Sequence, residues 1–456
     1  MKTKDVVSLL EQQIMDGTRK AGERLPTHRD IAWDLKCSVG TVSRAYAELE
    51  RRGLTTAHVG RGTFVAAPVS DKDGNGRFLP ISEDKDEGVI DLSLNRFFHS
   101  GAQGKFQRIM RDLSHRVPQN GYRDYIDSRG REQDLYWGQR WVSLLTGPIP
   151  EEHMMVTQGA QSAMFLSLGA LCNPGDTVAI ESFGYPGIKA AAQAQKFKVQ
   201  VVEMDEEGMK PESLSVICEK GLISAIVTVP TNHNPTGATM PLERRRAVVE
   251  IAQKYDIPII EDGVYAPFHN RDLPTFYELD PDHGIFLTSF SKVFSPGLRV
   301  GYLVAAERYM RKLAPRMASM SWMTSPILLD MANQLISSGE ITAHRRDLWE
   351  EGQLRYQQAC SILKNWLPDY QRRGQPFLSH LWLPVPSGLV LTEMLERCQQ
   401  AGVQLIGGDR FSMTNQQNTN FVRLCLMGES SIQRMELGLK TLRGVLEVAD
   451  DHELIS

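Results

Sequence analysis

From Val89 onward the chain alternates short apolar runs with amphipathic stretches, and this alternation restricts the possible folds more than any other feature. The runs are β-branched and bounded by polar residues, Gly or Pro: Val178–Glu181, Val199–Val202, Ala225–Val229, Pro258–Glu261, Ile285–Thr288 and Val300–Ala305. Strands that alternate with helices favour a mostly parallel sheet covered by helices. The sequence therefore predicts an α/β body.

The chain has 456 residues, which is too long for one ordinary core and predicts roughly two to four domains. Composition divides it into three parts. Residues 1–66 have the pattern of three short helices and a hairpin. Residues 67–88 are rich in Asp, Gly, Ser, Pro and Lys without an apolar period, which is typical of a linker. Residues 89–456 form the predicted body.

Several classes of protein are excluded by composition. No apolar run reaches membrane-spanning length and the N-terminus has no apolar signal core, so we expect a cytoplasmic protein without membrane contact. The six cysteines form no C-x-x-C pair and no His cluster accompanies them, which predicts reduced thiols and no metal site. Residues 1–65 carry 11 Lys and Arg against 8 Asp and Glu, whereas the whole chain has a net charge of −4. This asymmetry indicates a basic module on an acidic body.

The N-terminal segment contains signals for two helices joined by a tight turn. Thr27 with Asp30 three residues later forms a capping-box pattern, and Ser38 can cap the next helix. The second helix has a single apolar stripe at helical spacing: Val42, Ala45, Tyr46 and Leu49. This arrangement can place the second helix in a major groove of DNA.

A hairpin is predicted after these helices, with Gly60-Arg61-Gly62 at its tip. Arg29, Arg44 and Arg61 would face outward and contact phosphates or the minor groove. The helical pattern alone is equally compatible with a small dimerisation module that has a solvated charged face.

The body contains Ser289-Phe290-Ser291-Lys292 followed by a P-G-L-R-V-G-Y run that includes Arg299. A lysine after a buried strand can be desolvated, which lowers its pKa and frees its amine. The guanidinium of Arg299 can donate two hydrogen bonds to a phosphate in a bidentate pair. A lone Ser-x-x-Lys is usually a surface turn, but the whole run predicts a site for a phosphorylated aldehyde.

Two further motifs precede this lysine. Asp262 ends an apolar strand, where a carboxylate faces the ligand crevice of a parallel sheet. Tyr265, three residues on, and Asn234, in an Asn-Pro-Thr-Gly turn, can donate hydrogen bonds to a ring oxygen. Taken singly, Asp262 would more often cap a helix and the tetrapeptide would be an ordinary turn.

The remaining candidates supply a phosphate cup, a stacking ring and a carboxylate partner. Gln158-Gly159-Ala160-Gln161 opens a helix whose free amides can bind phosphate. Tyr185 can stack on a ring, and Tyr125 can reach a phosphate, although each alone would more often be a core aromatic. Arg423 is a charge in an apolar run, so it needs an anion, either a substrate carboxylate or an internal salt-bridge partner. Together these residues provide the types of contact that bind pyridoxal 5′-phosphate (PLP).

The head resembles the GntR-type winged helix-turn-helix over about 45 residues, through L-P-T-H-R-D-I-A, T-V-S-R-A-Y-A-E-L-E-R-R-G-L and G-R-G-T-F-V. The resemblance implies that double-stranded DNA is bound. It departs from the family where many members have an Arg that reads a base, because this chain has Val39 and Gly40 there. The DNA-binding residues we expect are Arg29, Ser38, Thr41, Arg44 and Arg61.

Nearly all of residues 89–456 resemble fold-type I aminotransferases, most closely the aminoadipate and kynurenine branch. The resemblance implies a large domain with a mostly parallel sheet and a smaller α+β domain. Lys292 matches the lysine that binds the PLP aldehyde, Asp262 the partner of the pyridine nitrogen, and Arg423 the arginine for the α-carboxylate. The other implied PLP contacts are Ala160, Gln161, Tyr185, Asn234, Tyr265, Ser289, Ser291, Arg299 and, from the neighbouring subunit, Tyr125.

A GntR head on such a body resembles the MocR subfamily of bacterial transcription regulators. The resemblance implies a head-to-tail homodimer whose operator binding responds to PLP or to a PLP–amine adduct formed with an amino acid or amine. Two alternatives remain open. One is an active aminotransferase with a DNA-binding head, and the other is an interaction protein that keeps the fold without the cofactor.

Overall fold

The computed structural model describes residues 3–15, 18–19, 23–51, 55–58, 62–65, 88–97, 101–118, 121–268, 273–372, 377–414 and 418–453. The chain divides into two compact units, Met1–Glu83 and Asp84–Ser456. Apart from Gly88, the predicted linker 67–88 lies outside the described residues. The domain boundaries therefore stay predictions.

The head unit contains three helices and a two-stranded antiparallel hairpin. They are α1 (Thr3–Met15), α2 (His28–Asp34), α3 (Val39–Arg51), β1 (Thr55–His58) and β2 (Gly62–Val65). The capping box before α2 is formed as predicted, since Thr27 and Asp30 each accept a backbone hydrogen bond from the other. Ser38 Oγ accepts 3.1 Å from the amide of Thr41 and so caps α3.

The apolar stripe of α3 forms the core of the head. Val42, Ala45, Tyr46 and Leu49 are all buried, together with Val6 and Leu10 of α1 and Val65 of β2. The phenol of Tyr46 donates 2.8 Å to the carbonyl of Pro26, which ties α3 to the segment before α2. The opposite face of α3 is therefore left exposed.

The strands of the body form one large sheet and several small ones. In chain order they are β3 (Ile90–Asp91), β4 (Met154–Thr157), β5 (Thr177–Glu181), β6 (Lys198–Val202), β7 (Met204–Asp205), β8 (Gly208–Met209), β9 (Ala225–Thr228), β10 (Ile259–Asp262), β11 (Gly284–Ser289), β12 (Gly301–Val304), β13 (His380–Pro384), β14 (Val403–Gln404), β15 (Ile406–Gly407) and β16 (Phe421–Cys425).

The large sheet has seven strands in the order β4-β12-β11-β10-β9-β5-β6. Strands β11, β10, β9, β5 and β6 pair in parallel, and only β12 runs antiparallel to both of its neighbours. The predicted mostly parallel sheet is confirmed. Because the carboxyl ends of parallel strands meet at one edge, the loops that follow β5, β9, β10 and β11 lie together.

Helices cover both faces of this sheet and complete the smaller domain. They are α4 (Ala102–Ser114), α5 (Glu132–Thr146), α6 (Ala160–Leu171), α7 (Pro186–Ala194), α8 (Pro211–Lys220), α9 (Leu242–Tyr255), α10 (Phe276–Leu279), α11 (Phe290–Val293), α12 (Glu307–Ser321), α13 (Pro326–Ser337), α14 (Glu340–Ile362), α15 (Asp369–Arg372), α16 (Leu391–Gln400) and α17 (Ile432–Glu453).

Two apolar cores flank the large sheet, one against α5, α6, α12 and α13 and the other against α8 and α9. A further core lies between the antiparallel sheet β13-β16-β15 and helices α14, α16 and α17. This smaller α+β part was also predicted. Within the described residues, no helix combines the length and apolar character needed to cross a membrane.

Candidate cofactor site

Lys292 lies on the short helix α11, directly after β11, an inner strand of the large sheet. Ser289 caps this helix, because its hydroxyl accepts a hydrogen bond of 3.4 Å from the amide of Ser291. Ser289, Ser291 and Lys292 therefore lie in one turn. The ammonium of Lys292 donates to the backbone carbonyl of Asn95. Burial and, secondly, the positive charge of Arg423 lower the pKa of Lys292 to about 8. An appreciable fraction of the amine is thus free near neutral pH.

Asp262 ends β10, next to β11, and its side chain is buried. Burial raises its pKa to about 6, against the lowering effects of a backbone hydrogen bond from Val264 and the charge of Lys292. Lys292 and Asp262 lie close enough for the charge of each to shift the pKa of the other, but no ion pair joins them within 4.0 Å. A cation placed beside Asp262 would return its pKa toward the ordinary range.

Two hydrogen-bonding groups flank this pair. The phenol of Tyr265 is fully enclosed, so burial raises its pKa and keeps it protonated. The amide oxygen of Asn234 accepts a hydrogen bond of 2.8 Å from Arg423 Nη1. The Nδ2 group of Asn234 therefore stays available as a donor, as a ring-oxygen contact would need.

Arg423 is fully buried on β16 of the small sheet. One nitrogen binds Asn234 and Nη2 donates to the carbonyl of Ser93, while Nε has no hydrogen-bond partner. Among the described residues no carboxylate lies within 4.0 Å of its guanidinium. The internal salt bridge, left open by the sequence, is not formed there. A buried guanidinium without an anion fits a ligand carboxylate.

The predicted phosphate cup lies where β4 leads into α6, which begins at Ala160. Gly159 has φ +90°, and a Cβ built on it would lie 2.9 Å from Arg299 Nη2. Arg299 itself adopts φ +48° and donates 3.0 Å to the carbonyl of Gln158. The guanidinium of Arg299 thus lies next to the Cα of Gly159, where a side chain would otherwise be, at the N-terminus of α6. This donor set fits a phosphate.

A cavity of about 480 Å³ opens beside this cup. Its lining combines the polar residues Gln158, Gln161, Ser162, Arg299, Thr324 and Ser325 with the apolar residues Phe165, Met320 and Leu328. Gln161 also donates 2.9 Å to the carbonyl of Gly187, close to the start of α7. Tyr185, the residue before α7, is half-buried, and burial raises the pKa of its phenol. Its phenol is close enough to Asp262 for that charge to raise its pKa further.

Arg299 is exposed, and Tyr125 is the other predicted PLP contact that faces outward. Its side chain is 74% exposed, and its ring centroid lies 5.2 Å from that of Trp322, which is also exposed. The exposed position is compatible with a role in a neighbouring subunit. That role stays a prediction.

Two buried residues beside the pocket were missed by sequence reasoning. Glu181 ends β5 and accepts hydrogen bonds from Thr228 and Val229, and its Oε2 lies 3.4 Å from His233 Nε2. The charge of Glu181 raises the pKa of Asp262. A signal existed, since polar residues that follow adjacent parallel strands meet at one sheet edge.

The predicted DNA contacts of the head differ in exposure. Arg29 and Arg44 are exposed, as phosphate contacts must be. Thr41 is only 9% exposed, and its hydroxyl lies 2.9 Å from that of Ser38. Arg61 lies outside the described residues. Within the described ranges, no cluster of His, Cys, Asp and Glu has the make-up of a metal site.

The fold and the site together define a fold-type I aminotransferase-like body behind a helix-turn-helix head. Residues 87–434 match the family described as aminotransferase class I and II, and residues 2–65 match bacterial regulatory proteins of the gntR family. The chain belongs to the aminotransferase class I and II family, and its GntR head gives it the architecture of MocR-type transcription regulators.

Relatives share both parts. The HTH-type transcriptional regulator YdeF of Bacillus subtilis is 27% identical over 97% of this chain and 94% of its own length. TauR of Rhodobacter capsulatus, another HTH-type transcriptional regulator, is 28% identical over 91% of this chain and 90% of its own. The solved multiple substrate aminotransferase of Thermococcus profundus superposes with a TM-score of 0.72 at 22% identity, covering 81% of this chain and 93% of that structure. That likeness establishes the fold of the body.

Proposed function

We propose that this transcription regulator binds its operator with an affinity set by PLP, or by a PLP–amine adduct, held in the body. The observation that carries the proposal is that an amine, a carboxylate and a guanidinium without counter-ion lie close together, since the charges of Arg423 and Asp262 both shift the pKa of Lys292. Lys292, Asp262 and Arg423 come from three separate strands or their loops, and each of them is buried or half-buried. A buried guanidinium usually has an anionic partner, and a ligand carboxylate would provide one.

Each contact that PLP needs has a candidate residue. PLP, when bound, supplies an aldehyde and a ring that withdraws electrons. Lys292 would bind the aldehyde, Asp262 would hold the proton on the ring nitrogen, and Arg423 would take the carboxylate of an amino acid. The other proposed contacts are Asn234 and Tyr265 at the ring oxygen, Tyr185 on the ring face, and Ala160, Gln161, Ser289, Ser291 and Arg299 at the phosphate.

The regulation we propose is thermodynamic linkage. An amino acid that took the place of Lys292 on the bound aldehyde would free the lysine amine and would bring its own carboxylate to Arg423. If the two ligand states differ in their affinity for DNA, then DNA must change ligand affinity by the same factor. Coupling of about 1–3 kcal/mol would change operator affinity roughly 5–150-fold.

The proposal includes a cytoplasmic homodimer arranged head to tail, in which Tyr125 reaches the phosphate of the neighbouring subunit. Support comes from the exposed Tyr125–Trp322 pair, because large exposed aromatic residues often mark interfaces. Sedimentation of the full chain would test the dimer. Mixing Tyr125→Phe with Lys292→Ala chains would test sharing, since mixed dimers should regain one intact site.

Operator binding tests the function directly. Binding of the full chain to its upstream DNA is measured with and without PLP, and then with candidate amino acids. We expect a change in affinity with PLP that Lys292→Ala abolishes while basal DNA binding remains. Binding that is insensitive to salt and to DNA sequence would contradict the claim that the protein binds an operator. If Lys292→Ala responded to PLP as the wild type does, the assignment of the PLP site would be wrong.

A second function, an active aminotransferase, is supported by the low pKa of Lys292 together with the free Nε of Arg423. A base with a pKa near the working pH is what proton transfer requires. Incubation of the PLP-loaded chain with an amino acid and a 2-oxo acid separates the two functions. Many turnovers per minute would favour the enzyme, and a single stoichiometric exchange would favour the regulator.

A further inference from the structure

Asn95 contacts both the proposed aldehyde lysine and the proposed ring-oxygen donor. It lies between β3 and α4, and its side chain is 9% exposed. Its backbone carbonyl accepts a hydrogen bond from Lys292 Nζ. Its amide nitrogen Nδ2 donates a hydrogen bond of 2.6 Å to the phenol oxygen of Tyr265. One loop residue therefore touches two groups that come from different strands.

The direction of the Asn95–Tyr265 bond decides what the phenol can do. A phenol has one hydrogen to donate and lone pairs that accept. Because Asn95 Nδ2 donates to the oxygen, the hydrogen of the phenol remains free for another acceptor. Burial keeps this phenol protonated, so it retains a hydrogen to donate.

We propose that Asn95 is a positioning residue, which holds the phenol of Tyr265 so that its hydrogen is directed to the ring oxygen of PLP. The proposal rests on the proposed PLP site and adds a residue to it. With PLP bound, the ring oxygen would bear more negative charge when the nitrogen contributed by Lys292 is unprotonated. A well-placed donor therefore favours the deprotonated form and lowers the pKa of that nitrogen.

Several other charged or titratable groups face this part of the pocket. They are Asp262 from β10, Lys292 from α11, Tyr185 before α7, His380 from β13, and Arg423 and Cys425 from β16. Asn95 is uncharged, so its replacement changes none of these charges. A pKa change in the variant can then be assigned to the lost hydrogen bond.

The test is a pH titration of the visible absorbance of the PLP-loaded full chain. For Asn95→Ala we expect the midpoint to rise by about one pH unit, a tenfold change in proton affinity. Tyr265→Phe should raise it at least as much, and Asn95→Ala should add little in the Tyr265→Phe background. Asn95→Ser provides a second variant if alanine fails to fold, because serine is too short to reach the phenol.

Asn333 provides a matched control in the same body. Its side chain is 8% exposed, its Nδ2 donates 2.6 Å to Asp134, and its Oδ1 is unpaired like that of Asn95. Asn333→Ala should leave the midpoint unchanged. An unchanged or lowered midpoint in Asn95→Ala would overturn the positioning role while PLP binding stands. If the wild-type chain gains no visible band with PLP, the proposed PLP site fails as well.

Discussion

The guanidinium of Arg423 donates a hydrogen bond of 2.8 Å to the amide oxygen of Asn234, although the two residues lie 189 positions apart. Arg423 belongs to the small antiparallel sheet, and Asn234 follows β9 of the large sheet. The bond therefore joins the two parts of the body at the point where we place the ligand. It leaves Nε of Arg423 unpaired, which is the basis of the first prediction.

Arg423→Lys should separate amino acids from simple amines. Lysine keeps the charge but loses the planar fork that grips a carboxylate. A charge-assisted hydrogen bond contributes about 1.5–3 kcal/mol, so half-saturation by an amino acid should rise by about tenfold to a hundredfold. The matching amine without a carboxylate should titrate as in the wild type. Absorbance titration of the PLP-loaded chain measures both.

Arg355→Lys is the control for this variant, because Arg355 is also fully buried but is paired with Glu351. It should lower thermal stability without distinguishing amino acids from amines. If Arg423→Lys weakens both ligand classes equally, the carboxylate assignment is wrong.

Gly159→Ala should weaken PLP more than it weakens pyridoxal. A Cβ at this position would lie 2.9 Å from Arg299 Nη2 and so displace the proposed phosphate contact. Pyridoxal has no phosphate and should bind as before. We expect the Kd for PLP to rise about tenfold or more, as for the loss of one charged hydrogen bond. Equilibrium absorbance titrations with the two aldehydes check this.

Gly175→Ala is matched to this change, since Gly175 has φ +97° but no atom within 4 Å of the added Cβ. It introduces the same kind of backbone strain without touching the cup. Equal losses in the two variants would show that strain, rather than the phosphate contact, is responsible.

The rate of PLP capture should increase with pH up to about pH 8. Only the deprotonated amine attacks an aldehyde, and the pKa of Lys292 is lowered to about 8. The rate should therefore rise about tenfold per unit well below pH 8 and level off above it. Stopped-flow absorbance after mixing with PLP measures this profile. A rise that continues to pH 10 would indicate a lysine with an ordinary pKa.

Arg44→Ala should weaken operator binding and flatten its salt dependence. Arg44 is exposed on α3, the helix we assign to the major groove. The loss of one phosphate contact should reduce the slope of log affinity against log salt by about one. Arg311→Ala, an exposed arginine of the body, is the control and should leave both quantities unchanged. Filter binding or anisotropy over a salt series provides the measurement.

The burial of the charged residues was predictable from the sequence. Lys292, Asp262 and Arg423 each have a recognisable setting, because a charge next to an apolar run must have a reason to be buried. The alternation of strands and helices and the apolar stripe of α3 were also predictable, because burial of one face of an element repeats apolar residues at a fixed spacing. Glu181 was within reach of the same reasoning, because β5 and β10 end at the same edge.

Backbone contacts were not predictable. Lys292 donates to the carbonyl of Asn95, and Arg423 donates to the carbonyl of Ser93. Every residue has such a carbonyl, so no residue type marks these two. Their role depends on the path of the segment 88–97, which has no periodic pattern.

The path of segment 88–97 has a practical consequence for anyone who divides the protein. In sequence this segment directly follows the predicted linker from the head, yet it supplies carbonyl acceptors to both Lys292 and Arg423. A truncation that begins at α4 would remove these acceptors together with the head. An isolated ligand-binding fragment must therefore begin before Ile90, and its failure to bind ligand after a shorter cut would reveal nothing about the head.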